Sequence, residues 1–437
     1  MEKSKGNGRG TRDIEKTGKK TESFRVERSF AGAGKGEPYQ IQHGFGFVTD
    51  DVRRELCLRR PEANGGFLPQ WWYEGRELTE TELTARGCTW RASAQVWAAD
   101  MEGRCVPLCY RQDVPKRGNY RLTLELWAEE DAEEVLVYAG RRRLAWRGGI
   151  GAAETVELTA ECDVSSSSPG DMWVGFSLLC GRGKVYLKSM RLEESSARRV
   201  YLMGDSTVTD QTAALPYAPG ASYGGWGQML GIFLPEGYCV SNHAHSGLTT
   251  ESFRSLGYWA TMSSLVREGD LCLIQFGHND QKRDFLQAEG GYRERLESFI
   301  DELRTLGARP ILVTPLARNS WHDSGAYNDL LETYAKAVLR LGERRKVPVI
   351  DLHGYAMGEI KAVGLEGAKP WFYPSDYAHT NDFGAYKMAS FVGRELCAWL
   401  GEKERPQPGW EPHAPLTVLV PPGDCGLTPP ADDGRRC

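Results

Sequence analysis

The 437-residue sequence has no apolar run long enough to cross a bilayer, which excludes a helical membrane span. Its opening stretch, MEKSKGNGRGTRDIEKTGKKTE, is charged and has no apolar core, so no secretory leader is expected. Basic residues are not in excess. Lys and Arg number 54 against 59 Asp and Glu, a formal net charge of −5, so nothing is available to neutralise a phosphate backbone and nucleic acid is excluded as a partner. The eleven cysteines (57, 88, 105, 109, 162, 180, 239, 272, 397, 425 and 437) include no C-x-x-C pair, and their number is odd. They read as reduced thiols, several of them in the core, and with no leader visible a cytoplasmic location is expected. Histidine is scarce, with only eight to supply a base or a metal ligand.

What is present is an ordinary globular balance of 41% apolar and 26% charged residues, in a chain long enough for two domains plus tails. Residues 1–24 are polar and read as a disordered tail. Over 25–196 short strand-like segments, such as NYRLTLELWAE (119–129) and ETVELTAECDV (154–164), are separated by Gly and Pro turns. That rhythm predicts an antiparallel β-sandwich. From 197 to 402 the rhythm becomes β then α. Strands are expected at 199–203, 238–242, 271–276, 310–314 and 347–351. Helices are expected near 225–234, 249–266, 291–306, 325–345 and 381–401. In YRERLESFIDELRTLG, Leu296, Ile300 and Leu303 share one helical face and Gly307 ends it. Such alternation predicts five parallel strands between two helical layers, a flavodoxin-like three-layer α/β/α domain. The Pro-rich stretch 403–437 reads as a mobile tail.

Ligands bind such sheets beyond the carboxyl ends of their strands. Ser206 lies just past the first strand, in YLMGDSTVTDQ. NHAHSGLTTESF (242–253) follows the second strand and GHND (277–280) the third. SDYAHTNDFGA (375–385) precedes the last helix, on the same side of the sheet. A serine there is most often a helix cap. To act as a nucleophile it needs a base, and the base needs an orienting carboxylate. His379 has Asp376 three residues before it, so Asp376 is placed to accept from the ring Nδ1–H while Nε2 faces Ser206. Charge developing on an ester oxygen needs fixed donors, for which the Ser206 N–H, the Gly247 N–H and the Asn279 side-chain amide are the candidates.

These four blocks, in this order, resemble the SGNH (GDSL-like) hydrolase superfamily. GDSTV, GWGQML (225–230), IQFGHND (274–280), LVTPLAR (312–318), VPVIDL (347–352) and HTNDFGA (379–385) are similar to rhamnogalacturonan acetylesterases and their bacterial relatives in carbohydrate esterase family twelve. The resemblance covers about 198–400. It implies Ser206 as nucleophile, His379 as base, Asp376 as its partner, and Ser206, Gly247 and Asn279 as the oxyanion donors. It implies no metal and no cofactor. The family often has Gly-Arg-Ser where this chain has Gly247-Leu248-Thr249, so an apolar lining is expected there, which keeps the Gly247 donor and leaves the sugar preference open. RDVPKRGNYRLTLEL and HGFGFV (43–48) resemble a galactose-binding-type jelly roll that precedes the esterase domain in some bacterial proteins.

Several residues carry blander readings. Asp205 and Asp351 are expected to be structural, and His278 to order the oxyanion loop or line the cleft with Arg318 and Trp321. His243 and His245 lack the partners of a metal site. Gly220-Ala-Ser-Tyr-Gly224 matches the G-x-S-x-G elbow but follows a loop rather than a strand, and GAGKGE from residue 32 lacks the phosphate-loop spacing. Trp71, Trp72 and Tyr73 suit a sugar face or a sandwich core. The expected activity is removal of acetyl groups from pectic, rhamnogalacturonan-type oligosaccharides, short enough to be imported. The alternatives are a general acyl esterase or lipase on the same triad, or a carbohydrate-binding protein on an inactive esterase scaffold.

Overall fold

The computed structural model describes residues 23–30, 39–47 except 41, 97–98, and 108–412 apart from 141, 166–171, 212 and 214–216. Most of the polar N-terminal stretch, Trp71–Tyr73, GAGKGE and residues beyond 412 lie outside the described residues.

Among the described residues the first part of the chain forms ten strands: β1 (Arg25–Ser29), β2 (Phe45–Phe47), β3 (Trp97–Ala98), β4 (Leu108–Asp113), β5 (Gly118–Ala128), β6 (Ala132–Ala139), β7 (Arg143–Ile150), β8 (Thr155–Val164), β9 (Trp173–Arg182) and β10 (Lys184–Ser195). They make two antiparallel sheets. One runs β1-β10-β5-β8, with β3 on β10, and the other β2-β4-β9-β6-β7. Period-two alternation explains their packing. Tyr120, Leu122, Leu124 and Leu126 of β5 and Val174, Phe176, Leu178 and Cys180 of β9 all turn into one apolar core.

The second part is a five-stranded parallel sheet in the order β12-β11-β13-β14-β15. Its strands are β11 (Arg198–Gly204), β12 (Tyr238–Asn242), β13 (Leu271–Gln275), β14 (Arg309–Val313) and β15 (Val349–Ile350). All five fall where the apolar runs predicted them, because a parallel sheet covered on both faces needs nearly unbroken hydrophobic strands. Alternation then divides each strand between two cores. Val200, Leu202, Leu271, Leu273, Ile311 and Val313 face one core, which is continuous with that of the antiparallel sheets. Tyr201, Met203, Cys272, Ile274 and Leu312 face the other.

The helices are α1 (Trp226–Met229), α2 (Thr250–Ser255), α3 (Tyr258–Ser263), α4 (Arg293–Thr305), α5 (Glu332–Arg345), α6 (Leu352–Ala368) and α7 (Asp382–Leu400). Helices α1, α6 and α7 cover the first face, and α2 to α5 the second. Leu296, Ile300 and Leu303 of α4 are buried as their spacing predicted.

Some boundaries differ from the sequence reading. The expected 249–266 helix breaks at Gly257, whose φ is 86°. The expected 325–345 helix starts only at Glu332, after a loop that turns at Gly325. Helix α6 was not foreseen. Gly354, Gly358, Gly364 and Gly367 weaken its intrinsic propensity, and the helix is held by packing and by Asp351, which accepts from the Gly354 N–H at 3.1 Å. Asp351 is thus structural, as expected. Cys162, Cys239, Cys272 and Cys397 are free thiols, and all four are buried, as are Cys109 and Cys180. Among the described residues no helix is long and apolar enough to cross a membrane.

The start of the Pro-rich segment is docked on the fold, against the expectation of a mobile tail from 403 onward. Arg405 N–H donates to the Phe233 carbonyl at 2.9 Å, and Tyr386 Oη donates to the Pro408 carbonyl at 2.7 Å. Trp410 is buried edge-on against Phe383 and Tyr386 of α7. Proline spacing hides this because one aromatic residue supplies the contact. Trp410→Ala is expected to destabilise the fold by about 3 kcal/mol, read as a lowered urea midpoint. An unchanged midpoint would show that the segment is not docked in solution.

Candidate active site

The site forms where β11 and β13 lie side by side at the centre of the sheet, the point at which the strand order reverses. Strand β11 ends at Gly204, and the chain turns at once. Asp205 C=O accepts from the Val208 and Thr209 N–H groups, both at 3.1 Å. A Cβ on Gly204 would lie 2.5 Å from Val208 Cγ2 and 2.8 Å from the Gln275 carbonyl, so only glycine permits this turn. The turn presents Ser206 Oγ to His379 Nε2 at 2.8 Å.

His379 in turn holds Asp376 by Nδ1 at 2.8 Å. The segment is a turn rather than a helical turn, with Ser375 at φ 67°. Asp376 Oδ1 accepts from the backbone N–H groups of Ala378 (2.6 Å) and His379 (3.0 Å), which fixes the carboxylate before it meets the ring. Burial works to raise the Asp376 pKa, but the His379 ring and these N–H donors outweigh it and hold the group down to about 2. It therefore stays ionised through the neutral range. A hydroxyl, an imidazole and an ionised carboxylate linked in line can draw a proton from the hydroxyl as it attacks an electrophile.

Two further loops are fastened beside Ser206. His243 and His245 N–H groups donate to the Leu202 (2.9 Å) and Gly204 (3.2 Å) carbonyls, which carries the chain after β12 along the end of β11. It then turns at Gly247, whose φ of 80° suits glycine. The loop after β13 joins it through Asn279, whose Nδ2 donates to the Leu248 carbonyl at 3.1 Å, and whose Oδ1 accepts from Lys282 at 3.1 Å. Among the described residues, the backbone N–H groups of Ser206 and Gly247 donate to no protein acceptor. Free N–H groups beside the hydroxyl are what an oxyanion would need.

Buried carboxylates brace these loops. Asp280 accepts from Thr250 N–H (2.9 Å) and Oγ1 (2.6 Å) and from Gly277 N–H (3.1 Å), and so pins the loop after β13 to the start of α2. Burial nonetheless pushes Asp280 up to about 6. Asp205 is fully buried and binds Thr207, whose Oγ1 also accepts from Gln275, which in turn accepts from Trp226. Asp205 is structural, as its position suggested.

His278 is buried, with Nδ1 accepting from Arg318 Nε at 3.2 Å. Burial, then the neighbouring guanidinium, hold it well below the usual histidine range, so it is neutral. Arg318 is itself faced by Tyr377, Asp205 and Asp376. Trp321 is placed beside it, bonded to Asn319 at 2.8 Å. His243 is buried against Ser241 and Tyr201, and His245 is half-buried against Tyr258. Leu248 overturns one expectation. It is 3% exposed and packs into the second core with Tyr201 and Met203, so it does not line the cleft.

Two aromatic residues were missed. Tyr223, inside the rejected G-x-S-x-G match, stands edge-on to His379 at 5.7 Å and stacks on Tyr373 at 3.7 Å. The segment is placed by pairing with the base loop: Gly224 N–H donates to the Thr380 carbonyl, and Thr380 Oγ1 to the Gly224 carbonyl. No local pattern signals this, because the partners are about 150 residues apart. A cavity of about 520 Å3 lies elsewhere, between the antiparallel sheet and β12, lined by Arg121, Trp146, Glu157, Tyr238 and Arg405 among others.

Asp280 generates a pH test. Its folded pKa is about 6 against 3.8 for the free group, so the folded state binds its proton more tightly. Its contribution to stability is therefore greatest at the acid end and falls as pH rises from about 4 through about 6, by roughly 3 kcal/mol in all. The difference between wild type and Asp280→Asn, measured by urea unfolding across that window, should follow this slope. Parallel curves would show that Asp280 is ionised throughout.

The model of the GDSL-like Lipase/Acylhydrolase family matches residues 202–385, which hold all five of the candidate catalytic and oxyanion residues. The chain is 34% identical over 211 residues to the rhamnogalacturonan acetylesterase RhgT of Bacillus subtilis, covering 45% of this chain and 89% of that protein. It is 25% identical over 239 residues to the rhamnogalacturonan acetylesterase of Emericella nidulans, covering 49% and 91%. Among solved structures, that of Bacillus subtilis YxiM covers 70% of this chain and 88% of its own, with 22% identity and a TM-score of 0.44. The chain belongs to the GDSL-like Lipase/Acylhydrolase family.

Proposed function

We propose that this protein is a serine acetylesterase that removes acetyl groups from pectic, rhamnogalacturonan-type oligosaccharides. The reading is carried by the hydrogen-bonded line from Ser206 through His379 to Asp376. It is supported by the relatives that are named rhamnogalacturonan acetylesterases. Ser206 Oγ attacks the acetyl carbonyl as His379 Nε2 takes its proton, and Asp376 holds the resulting imidazolium. The oxyanion is met by the Ser206 and Gly247 N–H groups and the Asn279 amide. The sugar alkoxide leaves with the proton from His379. Water, deprotonated by His379, then releases acetate from the acetyl-serine. No metal or cofactor takes part in this scheme. The stacked Tyr223 and Tyr373 form one wall beside the base, and Arg318 and Trp321 line another side of the cleft. The exposed Tyr377 extends the base loop towards solvent.

The two antiparallel sheets support the further reading of residues 25–196 as a galactose-binding-like jelly roll. The mixed aromatic and polar lining of the cavity against β12 is what favours a carbohydrate-binding role as the second reading.

Ser206→Ala is expected to abolish acetate release from acetylated rhamnogalacturonan oligosaccharides. Asp376→Asn should lower kcat on the order of 10³- to 10⁴-fold with the fold intact. Release that survives in Ser206→Ala would reject this nucleophile. On nitrophenyl esters acetate should be preferred. Preference for butyrate or longer chains would favour a general acyl esterase, and sugar binding with no ester turnover would favour an inactive scaffold.

A further inference from the structure

The hairpin between β6 and β7 belongs to the antiparallel sheets, yet its side chains end under the catalytic loops. Arg142 is the centre of this contact. Its side chain is 1% exposed, and NH1 pairs with Asp382 Oδ2 at 2.6 Å, where the carboxylate is 0% exposed. Asp382 opens α7, three residues after His379, and also accepts from Tyr217 Oη at 2.6 Å. Arg142 NH2 donates to the Tyr223 carbonyl, the residue whose ring stands edge-on to His379. Arg142 Nε donates to the Gln211 carbonyl at 2.9 Å, and Gln211 Nε2 donates to the Ser206 carbonyl at 2.7 Å. The backbone carbonyl of Arg142 accepts from Gln228, whose Oε1 accepts from the Gln211 N–H. The adjacent Arg143 binds Asp210 at 2.8 Å and the Val240 carbonyl at 2.8 Å.

One guanidinium thus reaches, directly or through a single residue, the turn that carries the nucleophile, the start of the helix behind the base, and the aromatic wall beside it. Simple glue between domains would not need all three branches to end at the catalytic loops. Arg142 has φ 57°, the left-handed conformation that a short turn between antiparallel strands uses, here at the turn from β6 into β7.

We propose that Arg142 is a positioning residue for the esterase reaction, supplied to the catalytic domain by the antiparallel domain. The proposal rests on the esterase reading above. Arg142 touches neither substrate nor the reacting atoms. It sets the relative placement of Ser206, His379 and Tyr223, so that the α/β domain is completed as a catalyst by a hairpin from outside it. The antiparallel domain is on this view part of the active-site scaffold, whatever else it binds.

The test uses the full chain with nitrophenyl acetate and a fluorophosphonate that labels the reactive serine. Variants are Arg142→Ala, Arg142→Lys and, as a destabilised control packed on α7 but outside the hydrogen bonds of Arg142 and of the triad, Trp410→Ala. In the folded proteins, Arg142→Ala should lose kcat on the order of 100-fold, the scale of a sub-ångström to 1 Å misplacement, with KM within about twofold. Its labelling rate should fall in parallel. Added guanidinium ion should restore part of both rates to Arg142→Ala and nothing to Arg142→Lys. The lysine variant keeps the charge opposite Asp382 but loses the fork to Gln211 and Tyr223, and should show an intermediate kcat. Trp410→Ala should lose stability but keep wild-type kcat. Wild-type kcat in either folded Arg142 variant would overturn the proposal, and the lysine variant decides if the alanine variant does not fold. A wild type that hydrolyses no ester would instead remove the esterase reading, and this proposal with it.

Discussion

A guanidinium shut away from water cannot be left with idle donors or without a counter-charge, and the environment of Arg142 is built around that requirement. Its partners are a carboxylate at the head of α7 and the carbonyls of Gln211 and Tyr223. Each lies on a different segment of the α/β domain, so satisfying one side chain fixes three segments together. Tyr138 and Tyr217 close the surroundings, with hydroxyls 2.7 Å apart. Burial keeps both phenols well above their ordinary pKa, so they stay neutral, and Tyr217 donates to Asp382 while bonded to Tyr138. A broken buried pair leaves an isolated charge, so the junction tolerates little sliding of one domain on the other.

The same economy governs the catalytic loops. None of them is regular structure, so each backbone group must be met individually. The carbonyls of Leu202, Gly204 and Leu248 take donors from neighbouring loops. Asp205 and Asp280 meet the donors that no strand reaches. The cost of burying these two carboxylates shows in their raised pKa values, while Asp376, less deeply buried and facing the His379 ring, is held low. Acids of one type are thus sorted by environment. Two act as neutralisable braces, and one is kept charged beside the imidazole.

The parallel sheet was legible because burial on both faces forces apolar strands, and its order follows from short right-handed crossovers. The hydrogen-bonded line from Ser206 through His379 to Asp376 was legible for a related reason. Strand ends converge on one edge, so a serine past β11 and a histidine before the last helix share a cleft although they are 173 residues apart. Helix α6 was not legible, since four glycines mask its period and tertiary packing overrides propensity. Leu248 was read as cleft lining because it stands where the resembled family often has an arginine. Its apolar side chain instead turns into the core beside Tyr201 and Met203.

The sequence by itself determined the β/α alternation, the turn at Gly204-Asp205-Ser206 and the pairing of Asp376 with His379, because each depends on neighbours or on a hydrophobic period. Only the tertiary structure decided that Tyr223 and Tyr373 flank the base, that Trp410 docks on α7, and that Arg142 of a distant hairpin underlies the site. These depend on pairs far apart in the chain, Arg142 and Asp382 being 240 residues apart. An arginine in a run of three at a hairpin, residues 141–143, reads as a solvated charge until the fold closes over it and removes the water that would otherwise have satisfied it.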